Sequence, residues 1–188
     1  DSIAAFLQAA KYFNLETEPS SVERLHYGLG LDYIKTENFS KAQAEFSFLI
    51  AYSQDNKVKI SSLARTADIY AETGDLDKAI SVYKSILKDN SGCHLCDYAN
   101  YRLAMVFLQL KDYAQAAEAL KMVLSEYPNS QLLEEANFYL GSAYFDINDF
   151  SGCYLQLRSF ISKYPESNLK SQAMLLQGLS LKSLKRFN

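Results

Sequence analysis

Residues 140–165, LGSAYFDINDFSGCYLQLRSFISKYP, repeat in outline residues 103–128, LAMVFLQLKDYAQAAEALKMVLSEYP, which lie 37 positions earlier. Working outward from this pair, a small residue followed three positions later by a large apolar one recurs at Gly30/Tyr33, Ala67/Tyr70, Ala104/Phe107, Gly141/Tyr144 and Gly178/Leu181, always 37 residues apart. The same step relates Phe39, Leu76, Tyr113, Phe150 and Phe187. It also relates the small residues Ala42, Ala79, Ala116 and Cys153, and the large residues Phe46, Tyr83, Leu120 and Leu157. Columns that keep one register over most of a chain mark a structural repeat.

Within each unit the apolar residues follow i, i+3, i+4 spacing, as in Leu103, Ala104 and Phe107, which places them on one face of a helix. Two helices approach closely only where a side chain is small, so Gly30 and Ala42, with their equivalents, are expected at the contacts inside each helix pair. Turn signals fall between the columns. Gly74, in Glu72-Thr73-Gly74-Asp75, can take the left-handed conformation that ends a helix. Pro128 and Pro165 stop a helix, and Ser130 or Ser167 can cap the next one. The reading is therefore all-α, with one domain over residues 1–188. It has a leading helix near 3–14 with Ala5 in the small column, pairs at about 22–54, 57–90, 96–128 and 131–165, and a last helix at about 168–185. The helical pattern is still running at the last residues, so the chain is expected to be a segment of a longer protein.

Composition agrees. Over 188 residues, 48% are hydrophobic, enough for a packed core, whereas seven Gly and three Pro are too few for the turns of a many-stranded β fold. A net charge of −3 argues against nucleic acid, whose phosphates require clustered Lys and Arg. No run approaches the roughly 18–20 apolar residues of a membrane span.

Leu29-Gly30-x-x-Tyr33 followed by Ala42-x-x-x-Phe46, and Leu140-Gly141-x-x-Tyr144 ending at Pro165, resemble the tetratricopeptide repeat. The resemblance covers nearly the whole chain. It departs from the usual period of about 34 residues, and His26, Leu63, Asn100, Asn137 and Met174 stand where that pattern begins with Trp. The 37-residue spacing and the Tyr-Pro-x-Ser junctions are similar to those of bacterial envelope members, which include the periplasmic partner of the Tol-Pal system and the lipoprotein of the outer-membrane β-barrel assembly machine. Periplasm or cell envelope is thereby favoured over cytoplasm.

The resemblance implies a right-handed solenoid of antiparallel helix pairs that binds another protein on a concave surface lined by the first helix of each pair. Carried onto this sequence, that surface comprises Tyr27, Leu31 and Ile34; Ala64, Asp68 and Ala71; Tyr101, Met105 and Leu108; and Phe138, Ser142 and Phe145. Tyr27, Tyr101, Met105 and Phe138 are the expected anchors for an apolar helix or extended segment. For each anchor the competing reading is packing against the neighbouring pair. Arg65 and Arg102, one turn away, either hold an acidic side chain of the partner or serve a solvated or intramolecular role. A last helix without a partner would expose its apolar face, so a homodimer through the terminal helices is an alternative outcome. A cytoplasmic chaperone-like repeat protein is another.

Cys153 occupies the small column and reads as a buried thiol. Alignment places Cys93 at a helix cap and Cys96 in the first turn, where C-x-x-C spacing suits a local disulfide in an oxidising compartment. His94 and His26 are the only histidines, too few to complete a zinc site with these cysteines, so no metal or other cofactor is expected. Asp75 and Asp77, and Glu134 and Glu135, sit at helix starts, where the helix dipole favours acid. Phosphate-loop and dinucleotide motifs do not occur, and no catalytic residue is assigned.

Overall fold

The structure, a computed structural model, describes Ile3, Ala4, Gln8 and residues 18–89 and 94–187. Most of the expected leading helix, Ala5 included, lies outside the described residues, as does Cys93. The described residues form nine helices: α1 (Pro19–Lys35), α2 (Phe39–Tyr52), α3 (Asn56–Glu72), α4 (Leu76–Asp89), α5 (Cys96–Gln109), α6 (Tyr113–Glu126), α7 (Leu133–Asp146), α8 (Phe150–Lys163) and α9 (Lys170–Phe187). The sequence reading takes 1–188 as one domain; the helices group into two compact units, Asp1–Leu95 and Cys96–Asn188.

Each helix pair closes through one repeated device. Glu37, Lys111 and Asn148 have φ of 56°, 60° and 62°, and Gly74 has φ of 84°. The amide of the next residue then reaches back to the last helical turn: Asn38 N–H donates to Tyr33 O at 2.8 Å, Asp75 to Tyr70 at 2.8 Å, Asp112 to Phe107 at 2.9 Å and Asp149 to Tyr144 at 2.9 Å. This is the Schellman closure. The same residue's side chain caps the following helix, since Asn38, Asp112 and Asp149 accept from the backbone N–H of Lys41, Gln115 and Gly152. Gly74 and, less strongly, Asn148 are residue types that favour the left-handed position. At Glu37 and Lys111 the closure is formed despite the Cβ penalty. Between repeats, Ser130 and Ser167 hydroxyls accept from Leu132 and Leu169 N–H at 3.1 Å each, just ahead of α7 and α9.

In the first unit α1 packs on α2, α2 on α3 and α3 on α4, with α1 also touching α3. Leu25, Leu29, Tyr33, Ala42, Phe46, Leu49 and Ile69 form its core. The position of the family's initial Trp is taken by His26, which stacks on Phe48 at 4.0 Å and bonds Glu45 at 2.6 Å. In the second unit, helices α5 to α9 pack in sequence, and α9 also touches α7. One core cluster centres on Ala104, Leu120, Val123 and Leu140, another on Phe138, Cys153, Leu157, Phe160 and Ala173. Burial pushes the Cys153 thiol up, partly offset by Ser180, whose hydroxyl donates to the sulfur at 2.9 Å.

The small column works as a notch for the large one. A Cβ on Gly30 would lie 2.6 Å from Phe46 Cζ, and a Cβ on Gly141 2.4 Å from Leu157 Cδ2. The sequence reading puts Gly30 at a contact inside its pair, and the residue that fills this contact is the large one, Phe46. At Gly178, by contrast, a Cβ would meet nothing within 4 Å. Opposite signs follow for one substitution at equivalent positions. Gly141→Ala gains about 1 kcal/mol of helix propensity but overpacks a wholly buried leucine at about 1–3 kcal/mol, for a net loss near 1 kcal/mol. Gly178→Ala keeps the propensity gain, about 0.5–1 kcal/mol. Urea unfolding followed by circular dichroism checks both; a stabilised Gly141→Ala protein would refute the notch.

Candidate partner-binding surfaces

The residues assigned from sequence to the concave surface fall in both units. In the first, Tyr27 is half-buried and its ring meets Phe46 edge-on at 5.6 Å. Leu31 and Ile34 are half-buried against the same core. Asp68 and Ala64 are buried, at 6% and 1% exposure, and Ala71 is partly exposed. Asp68 accepts from the Tyr83 hydroxyl at 2.5 Å and from Arg65 Nη1 at 3.0 Å. Of the two readings open for Arg65, the intramolecular one is therefore populated: it ties α3 to α4 through Asp68.

Around Tyr27 the first unit has a cleft of about 730 Å³, lined by Ser20, Glu23, Arg24, Tyr27 and Gly28 from α1 and by Asp55, Lys57, Val58 and Ser61 at the start of α3. Tyr27 and Val58 supply apolar surface. Glu23 is held by the Ser53 hydroxyl at 2.6 Å, and Asp55 caps α3 through Lys57 N–H at 2.8 Å. Arg24 and Lys57 are exposed, and neither forms an ion pair with another described residue. The acids are thus engaged with protein groups while the two cations face solvent. Arg24, Lys57 and Ser61 were not singled out from the sequence. Stepping each groove column back one turn, from Tyr27 to Arg24 and from Ala64 to Ser61, locates two of them.

In the second unit Tyr101, Met105 and Leu108 are half-buried on the first core cluster. Tyr101 meets Tyr139 edge-on at 6.4 Å, and burial first, then Tyr139 and Glu135, pushes its hydroxyl up to about 12. Arg102 and Ser142 are partly exposed. Phe145 is half-buried, 5.6 Å from Phe150. Phe138 is a core residue, 5% exposed among Cys153, Leu157, Phe160 and Ala173. It shares a column with Tyr27 and Tyr101, but α8 and α9 close over it. Its neighbour Tyr139, absent from the sequence assignment, makes the ring contact with Tyr101 instead. Cys96 is buried at the first turn of α5 and disulfide-bonded, whereas Cys93, its expected partner, is outside the described residues. Among the described residues no cluster of His, Cys, Asp and Glu is arranged to hold a metal, and no helix is long and apolar enough to cross a membrane.

Paired antiparallel helices on a 37-residue period, closed by notch-and-knob contacts, define a helical-repeat protein. Residues 27–92 match the tetratricopeptide repeat family, and residues 96–187 match a family described as outer membrane lipoprotein, YfiO. The chain is a tetratricopeptide-repeat protein with the all-α fold of that class. It is similar in structure to BtubC from P. vanneervenii, with a TM-score of 0.77 and 19% identity over 99% of this chain and 83% of that one. A tetratricopeptide repeat protein from Parabacteroides merdae gives a TM-score of 0.71 and 17% identity over 98% and 70% of the two chains. MamA from Desulfovibrio magneticus gives 0.65 and 18% over 89% and 97%. No curated protein sequence matches the chain.

Proposed function

We propose that this protein is a non-enzymatic scaffold that binds a partner segment on the inner helices of its repeats, with the α1–α3 cleft as the principal contact. The observation that carries the reading is the pairing in one cleft of an apolar floor, Tyr27 and Val58, with two solvent-facing cations, Arg24 and Lys57. An extended or helical segment carrying an apolar side chain beside a carboxylate fits this lining. Tyr101, Met105, Ser142, Phe145 and Tyr139 offer a second, more aromatic surface in the other unit. A role in bacterial envelope assembly or maintenance is supported by the match of residues 96–187 to the outer membrane lipoprotein family. The expected Cys93–Cys96 bridge suits that oxidising location.

The test is affinity capture from a bacterial envelope extract with the parent chain, an Arg24→Glu/Lys57→Glu variant and a Tyr27→Ala variant, each checked for helicity. A partner held by the parent, released by charge reversal and recovered less by Tyr27→Ala supports the cleft. A partner retained by all three excludes it.

A further inference from the structure

By formal charge the lining of the α1–α3 cleft is neutral, with Glu23 and Asp55 against Arg24 and Lys57. Its preference for an acidic ligand therefore depends on where the two acids are engaged. The Asp55 carboxylate accepts from Lys57 N–H at 2.8 Å as the cap of α3. Glu23, half-buried on α1, accepts from the Ser53 hydroxyl at 2.6 Å, a short charge-assisted bond. Ser53 is 2% exposed, and its oxygen accepts from Asp55 N–H at 3.0 Å. A hydroxyl carries a single proton, and the backbone oxygen of Asp55, at 3.2 Å, is the more distant acceptor, so the proton goes to Glu23. The same tie recurs in the second unit, where Ser130 accepts from Leu132 N–H at 3.1 Å and donates to Asp97 at 2.6 Å. Asp97 lies two 37-residue steps after Glu23. In the first unit the tie stands beside two cations that form no ion pair with another described residue.

We propose that Ser53 is the positioning residue that sets the charge preference of this cleft. By holding the Glu23 carboxylate at the α2–α3 turn, it leaves Arg24 and Lys57 to meet a carboxylate of the partner segment. Without the Ser53 hydroxyl, Glu23 turns to those cations and neutralises them from within the chain, and the cleft loses its selectivity for acid. Ser53 touches no ligand itself; it acts through Glu23. The proposal rests on the reading of the cleft as the partner site, but the charge arrangement it describes is present in the unbound chain and is tested there.

Lysine acylation reads the local field at Lys57. The 188-residue chain is labelled with the N-hydroxysuccinimide ester of acetate and with its sulfonated, anionic form, and the yield at Lys57 with each is measured by peptide mass spectrometry. The anionic-to-neutral ratio cancels the reactivity of the amine and reports the potential around it. Ser53→Ala should lower that ratio at least about twofold, the scale set by one carboxylate brought within a few ångströms of an exposed amine. The ratio at Lys163, in the other unit, should not change. Adding Glu23→Gln to Ser53→Ala should bring the ratio at Lys57 back at least to the parent's, which a loosened α1 would not do. Ser53→Cys, similar in size and a weak donor, should move the ratio in the same direction and serves if Ser53→Ala loses helicity. An unchanged ratio, or a lowered one that Glu23→Gln does not restore, overturns the proposal and leaves the tie as a brace between α1 and the α2–α3 turn. The two readings fail differently. A constant ratio with a captured partner still sensitive to Arg24→Glu/Lys57→Glu removes the role of Ser53 alone, whereas a responsive ratio with no captured partner removes the cleft as the binding site.

Discussion

Phe138→Ala is expected to destabilise the second unit by about 3–5 kcal/mol, the cost of removing a phenyl ring from a site that cannot collapse. The ring is 5% exposed, and Cys153, Leu157, Phe160 and Ala173 around it are wholly buried. It meets Phe160 at 5.8 Å and Tyr139 edge-on at 5.3 Å, contacts that add to the simple burial of area. In a repeat protein stability is roughly a sum of repeat and interface terms, and Phe138 serves both, because it touches its own pair and Ala173 of the next helix. Urea unfolding monitored at 222 nm should show the midpoint falling with the slope nearly unchanged. A loss below about 1 kcal/mol, accompanied by loss of partner capture, would return Phe138 to the binding surface.

Asp68→Ala should be the most damaging change in the first unit outside its apolar core, at about 2–3 kcal/mol. Asp68 is 6% exposed and accepts from a Tyr83 hydroxyl whose residue is wholly buried. Its removal leaves that hydroxyl without its carboxylate acceptor, and breaking a hydrogen bond to a charged group in such a site costs about 1.5–3 kcal/mol. The Arg65 partner adds less than a buried ion pair would, since its side chain is 37% exposed and solvent screens it. Asp68→Asn retains an acceptor and should lose about half as much. A double-mutant cycle with Tyr83→Phe should return about 1–2 kcal/mol of coupling. Stability equal to the parent's, with partner capture abolished, would instead place Asp68 among the binding residues.

The two experiments probe the boundary between what periodicity can and cannot assign. Tyr27, Tyr101 and Phe138 share a column, so each projects at the same angle from the first helix of its repeat. Whether that angle leads to a groove or a core depends on what the neighbouring helices bring. Tyr27 borders an open cleft, Tyr101 rests on Tyr139, and Phe138 is covered by α8 and α9. Likewise Asp68 is projected onto the binding surface and Arg65 is placed one turn away, and the two bond to each other while Asp68 also accepts from Tyr83.

The sequence by itself determined the helix pairs, their 37-residue register and the place of the junctions, because these arise from local spacing and from turn chemistry carried by adjacent residues; Ser130 and Ser167, expected as caps, instead hold the turn one residue ahead of the helix, at Leu132 and Leu169. It also named the residue types on each face. The left-handed closures at Glu37 and Lys111 were not legible in residue type, since the helix-end bonds to Tyr33 and Phe107, together with packing of the pairs, outweigh the Cβ penalty that local propensity counts. Tertiary structure also decided the pairing of cations with an apolar floor in the α1–α3 cleft and the filling of the Gly30 and Gly141 notches by Phe46 and Leu157. Burial is a property of the space between helices, and identical columns in a repeat are buried differently wherever the helix that should cover them differs.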